Sequence, residues 1–128
     1  MDSGLRQRYL AYLAVLNERR FVDLVDFVAE SLTYNGSPQT REQYQDQRRR
    51  EAALIPDLRF DVDLLVVEDD RVACVLRFDC TPQGGFLGLP VSGRRIRFDE
   101  HVFYRFGDGL ITEVRSLIDR EAVRRQLL

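Results

Sequence analysis

The side chains best suited to moving a proton in this chain are few. His101 is its one histidine, and imidazole is the side chain whose charge changes near neutral pH. Asp99 stands two residues before it, and Ser116 falls on the next apolar run. A histidine held by a carboxylate is a competent general base, and a hydroxyl donates a hydrogen bond to a developing oxyanion. Asp108-Gly109, between two apolar runs, marks a two-residue hairpin turn. Such a turn pairs Gly107 with Leu110, and so His101 with Ser116 and Phe103 with Val114. These four then share one sheet face with Asp99 and Ile118, while Glu100, Tyr104, Glu113 and Arg115 share the other. The second set is the more polar, so the His101 face is expected to be the concave, ligand-facing side. A slip of one residue in the pairing reverses that assignment. A lone histidine on an apolar face also serves as a structural residue. Asp119 falls on the opposite parity and reads as a helix cap.

The elements that must hold these residues follow from periodicity. Leu5, Tyr9, Tyr12, Leu13 and Leu16 recur at helical spacing and predict a helix over 3–18. Phe21, Leu24, Val25 and Val28 predict a second, short helix over 21–29. A short strand is expected over 31–35, closed by the turn residues Asn35-Gly36-Ser37-Pro38. Thr40 and Gln43 form a capping box that opens a third helix, which ends before Pro56. That helix carries Arg48-Arg49-Arg50 among Glu42, Asp46 and Glu51, which reads as a solvated face of ion pairs. Strands are expected over 58–68, 71–80, 96–106 and 110–118, and a last helix over 120–126. The Gly- and Pro-rich stretch 82–93 is expected to be a loop, with Phe86 and Leu89 covering a site. Helices first and antiparallel strands after them predict one α+β domain over 1–128, with the helices on one face of the sheet.

Composition narrows the chemistry. The 128 residues carry a formal net charge of −2, which gives no global field for nucleic acid. No aromatic residues interleave with the arginine run, so nucleic acid is not an expected partner. There is no lysine, which removes Schiff-base chemistry. Cys74 and Cys80 lie six apart on one expected strand, so they are about 20 Å apart, beyond disulfide reach. They read as buried free thiols of a reducing compartment. One histidine and no Cys-x-x-Cys make a zinc site unexpected. No leader pattern opens the sequence and no apolar run approaches bilayer length, so a cytoplasmic location off the membrane is expected.

Three stretches carry a family resemblance. Gly85-Phe86-Leu87-Gly88-Leu89-Pro90-Val91-Ser92-Gly93-Arg94-Arg95-Ile96 resembles the G-x-F-x-G-x-P-P-T-G-R-R segment of SnoaL-like polyketide cyclases and ester cyclases. The run from Phe98 to Phe106, followed by Gly107-Asp108-Gly109, is similar to their strand, Asp-Gly turn and strand. The run from Ile111 to Asp119, with Gln126-Leu127 after it, resembles their closing I-x-E-x-W-x-x-x-D … Q-L. The resemblance implies the nuclear-transport-factor-2-like fold, a cone-shaped curved antiparallel sheet wrapped around N-terminal helices. It implies intramolecular aldol ring closure without metal or cofactor, driven by an Asp on the last strand and a His on the preceding one. His101 matches that histidine, whereas Ser116 stands at or near the position of the Asp, so the usual carboxylate is replaced. Asp99, two residues from His101 on the same face, is the carboxylate that could pair with it, the alternative being a place at the cone's rim in water.

The expected ligand is a small, partly apolar carbonyl compound. The family places polar ligand contacts at the end of the first strand, where Tyr34 and Asn35 stand, Asn35 being equally a turn residue. Tyr12, Phe103, Val114 and Phe86 are the other candidate ligand contacts, with Tyr9 and Tyr12 equally readable as core. The alternative is a non-catalytic ligand-binding or dimerisation module of the same fold. A homodimer is expected, formed by the face assigned to Glu100, Tyr104, Glu113 and Arg115.

Overall fold

Apolar side chains recurring at helical spacing wind the N-terminal segment into α1, Asp2–Asn17, whose Tyr9, Tyr12, Leu13 and Leu16 are buried. The computed structural model describes residues 2–127, with side chains described from residue 4. The predicted second helix is a single 3-10 stretch, Phe21–Asp26, and Val28 already begins β1, Val28–Tyr34. Asn35 and Gly36 take positive φ (49° and 83°), the backbone of a tight hairpin turn, and lead into β2, Ser37–Thr40. The sequence predicts only a turn there. Strand β2 is four residues long and contains Pro38, so it lacks the β-branched run that marks a strand.

Helix α2, Arg41–Leu54, starts at the predicted capping box. Gln43 N donates to Thr40 Oγ1 at 3.1 Å and Thr40 N to Gln43 Oε1 at 2.9 Å. Thr40→Ala is expected to cost about 1 kcal/mol, read as a lower urea midpoint. Then follow β3, Asp61–Glu68; β4, Arg71–Cys80; β5, Ile96–Gly107; β6, Leu110–Ile118; and α3, Arg120–Arg125. Asp119 caps α3, accepting from Ala122 N at 2.9 Å.

The strands form one curved, open sheet in the order β2-β1-β6-β5-β4-β3. All neighbours are antiparallel except β1 and β6, which run parallel. Helices α1 and α2 fill the concave side. Tyr9 and Tyr12 pack on Tyr104 of β5, with ring centroids 5.0 and 5.7 Å apart. Asn17 clamps the chain entering β3, accepting from Phe60 N at 2.7 Å and donating to Phe60 O at 3.1 Å. Cys74 and Cys80 are both buried and free.

The β5–β6 register corrects the sequence reading. Gly107 does pair with Leu110 and Phe106 with Ile111, but Arg105 then pairs with Glu113. Thr112 is the extra residue of a β-bulge, its Oγ1 donating to Arg105 O at 3.2 Å. Past the bulge every side chain changes face. His101 lies opposite Leu117, Val102 opposite Ser116, Phe103 opposite Arg115 and Tyr104 opposite Val114. The concave face is therefore built from Ile96, Phe98, Glu100, Val102, Tyr104 and Phe106 of β5 and from Val114, Ser116 and Ile118 of β6. All five apolar members of the β5 set are buried.

Candidate active site

Three of the residues expected to face the ligand lie outside. His101 is exposed on the convex face, between Val75 of β4 and Leu117 of β6. Phe103 is 56% exposed on the same face. Asp99 lies there too, its Oδ1 3.5 Å from Arg77 Nε, so its partner is an arginine and not His101. The expected dimer face is also split. Glu100 and Tyr104 point inward, whereas Arg115 is exposed on the outside, its Nε donating to Glu113 at 2.8 Å.

On the concave side the sheet, α2 and the 81–95 loop line a half-open cavity of about 50 Å3. Its walls are aromatic. Phe60 meets Phe78 edge-on at 5.4 Å, Phe78 stacks on Phe98 at 5.1 Å, and Phe86 of the loop covers Phe98 at 5.3 Å. Backbone bonds between Phe86 and Leu89 hold the tip of that loop, and Arg120 Nε donates to Leu87 O at 2.8 Å. Leu58, Ile55 and Ile118 complete the apolar lining.

Against this lining stand Glu100, Arg48, Glu51 and Tyr34. Glu100 interrupts the apolar stripe of β5, and Ser116, diagonal to it across the β5–β6 ladder, donates its hydroxyl proton to Glu100 Oε2. Burial pushes the Glu100 carboxyl above the usual carboxylate range, while the Ser116 hydrogen bond and Arg48 pull it partly back. Asn35 Oδ1 accepts from Ser116 N at 2.7 Å, tying the β1–β2 turn to β6. Asn35 is thus both a turn residue and a brace for Ser116, and its side chain is outside the cavity lining.

Arg48 contradicts the solvated-face reading, for it is 7% exposed. Tyr44, Arg48 and Glu51 recur at helical spacing and form the inner face of α2, which Ile55 follows at its C-cap. The Arg48 guanidinium carbon lies 4.7 Å from the Tyr44 ring centroid and 5.6 Å from that of Tyr34. Its Nη2 donates to Glu51 Oε2 at 3.0 Å, and Nε lies 3.0 Å from Oε1. Burial also raises the Glu51 carboxyl, Arg48 opposes that, and Glu100 adds to it. Arg49 and Arg50 are exposed, as expected of the run.

Behind Arg48, Tyr12 and Tyr44 share a hydroxyl–hydroxyl hydrogen bond, and burial pushes the Tyr44 phenol up to about 12. Tyr12 belongs to this core and not to the cavity wall. Val114 is buried in the core and lies outside the cavity lining. Of the sequence-named residues the cavity therefore gathers Tyr34, Phe86 and, through Glu100, Ser116. The sequence reading missed Glu100, Arg48 and Glu51. Among the described residues, no cluster of three or more His, Cys, Asp or Glu side chains could hold a metal ion. No described helix is long and apolar enough to cross a membrane.

Comparison with known proteins adds the lineage. The family described as SnoaL-like polyketide cyclase matches residues 6–127. A crystal structure of a SnoaL-like polyketide cyclase from Agrobacterium tumefaciens is 45% identical, with TM-score 0.95, covering 97% of this chain and 98% of that one. TsrD from Streptomyces laurentii is 26% identical, with TM-score 0.85, covering 99% of this chain and 96% of that one. A structure from Acidithiobacillus ferrooxidans shares the fold at 20% identity, with TM-score 0.82, over 99% of this chain and 96% of that one. No curated protein matches.

Proposed function

The chain belongs to the SnoaL-like polyketide cyclase family, and on that footing we propose that its cavity moves a proton on a flat, partly apolar carbonyl compound, with Glu100 as general base and then general acid. The observation that carries the reading is the Glu100 carboxyl, raised by burial, set against an aromatic wall and hydrogen-bonded to Ser116, the serine at or near the position of the family's aspartate. On this reading Glu100 of β5 takes the part that the family resemblance gives to an aspartate of β6. The polyketide-cyclase reaction then balances on one residue. Glu100 takes the proton from carbon between two carbonyls, and the electron pair passes to the carbonyl oxygen. The enolate carbon attacks a second carbonyl of the same molecule, and that oxygen receives the proton back from Glu100. A carboxyl poised nearer neutral pH serves both halves. Ser116 orients it, and the phenylalanine rings stack on the substrate. A cavity of about 50 Å3 holds little more than water, so the Phe86 tip must move to admit substrate.

The test is deuterium exchange at the acidic carbon of aromatic β-keto esters in D2O, followed by proton NMR. Protein-dependent acceleration is expected. Esters that bind without accelerated exchange would leave a non-catalytic binding module.

The proposed homodimer uses the convex face. Leu64, Val66, Phe103 and Leu117 are more than half exposed there, an apolar strip flanked by Arg77 with Asp63 and Asp99, and by Arg115 with Glu113. A two-fold copy covers such a strip and sets arginines against acids. Sedimentation velocity at micromolar concentration is expected to show a dimer that Phe103→Glu converts to monomer. A monomeric parent protein would overturn this. Buried free thiols suit a reducing compartment and support a cytoplasmic location.

A further inference from the structure

We infer that Arg48, clamped by Glu51, is the residue that selects the ligand: its free guanidinium edge takes an anionic oxygen, so the cavity prefers planar apolar acids and enolates to their neutral esters. This rests on the cavity reading above and deepens it. The Arg48 side chain is fixed on every side. Tyr44 and Tyr34 hold the guanidinium by their rings, and the Glu51 carboxylate occupies its Nη2. Nε is buried 3.0 Å from Glu51 Oε1 yet makes no aligned hydrogen bond, and the hydrogen bond that the guanidinium makes to Glu51 uses Nη2, on the side away from Nη1. A guanidinium this buried and this rigid, with donors unspent, is preorganised for a planar oxyanion.

Charge counting gives the proton state. Arg48 already balances Glu51, so an anion entering beside Glu100 is accommodated only when Glu100 holds a proton. That pairing, a neutral Glu100 with an oxyanion at Arg48, is the state reached once Glu100 has abstracted the substrate proton. Glu51 acts as the positioning residue for Arg48.

The probes are 2-naphthoate and methyl 2-naphthoate, titrated calorimetrically into the intact protein in two buffers of different ionisation enthalpy. The acid is expected to bind at least about tenfold tighter than the ester, the worth of one charge-assisted hydrogen bond, with uptake of about one proton. Arg48→Gln with Glu51→Gln removes both charges together and leaves no orphan. In this double variant the preference for the acid over the ester is expected to fall within about twofold. A parent protein that prefers the ester, or a double variant that keeps the preference, would overturn the inference while leaving the exchange assay to judge Glu100. Binding of neither probe would overturn the cavity reading together with it.

Discussion

Replacing Arg48 by Met is expected to lower stability by about 1–3 kcal/mol, because it leaves the Glu51 carboxylate, about a third of it still in water, without its partner. The side chain is 7% exposed and closes the inner face of α2 between two tyrosines, so packing is lost as well. Urea denaturation measures the loss. Glu51→Leu in the same background is expected to recover most of it, since a neutral packed pair needs no solvation. Arg49 is the internal control. It lies one residue on, but its pair with Asp46 is 3.4 Å long with both side chains largely in water, and Arg49→Ala is expected to cost less than about 1 kcal/mol. Equal effects at the two positions would show that Arg48 is not the buried member of the run.

Glu100→Gln is expected to lower proton exchange by about 100- to 10,000-fold, the usual worth of a positioned acid or base. The same change is expected to stabilise the protein at neutral pH. Burial raises the folded-state carboxyl, so folding favours its neutral form. That contribution is complete below the unfolded carboxyl range, about 4.3, and is lost as pH rises through the higher folded value. Glutamine stays neutral throughout. Melting temperatures of the parent and the variant should therefore run together in acid and separate as pH rises, the variant lying above. Parallel curves at every pH would show an ordinary carboxylate. Activity lost and stability gained in one substitution is the mark of a group kept for chemistry.

Much of the fold is legible because local chemistry decides it. Thr40 and Gln43 make both bonds of their capping box, Asp119 caps α3, and the Asp108-Gly109 and Asn35-Gly36 turns fall where their residues demand. The strands 71–80 and 110–118 match their predicted limits. The site was harder to read because one residue, Thr112, decides the parity of β6, and a bulge has no strong sequence mark. The signal that would have corrected it lies on the other strand. Ile96, Phe98, Val102, Tyr104 and Phe106 alternate as an apolar stripe, and Glu100 is the single charge within it. Comparing Glu100 with Glu113 and Arg115 made that face look polar, whereas β5 alone shows it apolar. Arg48 was masked in the same way by Arg49 and Arg50, although Tyr44 four residues before it and Ile55 seven after it place it on the buried face of α2. The family resemblance points to Ser116 and to His101, but the alternation of β5 turns His101 outward while the bulge turns Ser116 inward.

The most direct measurement is the carbon-13 titration of the Glu100 carboxyl in glutamate-labelled protein, its resonance assigned by its absence in Glu100→Gln. A midpoint above the usual glutamate value of about 4.3, moving higher still when 2-naphthoate is bound, is the result expected of a buried acid/base facing an oxyanion. A midpoint at or below that value, indifferent to the ligand, would contradict the account and leave the cavity without its catalyst.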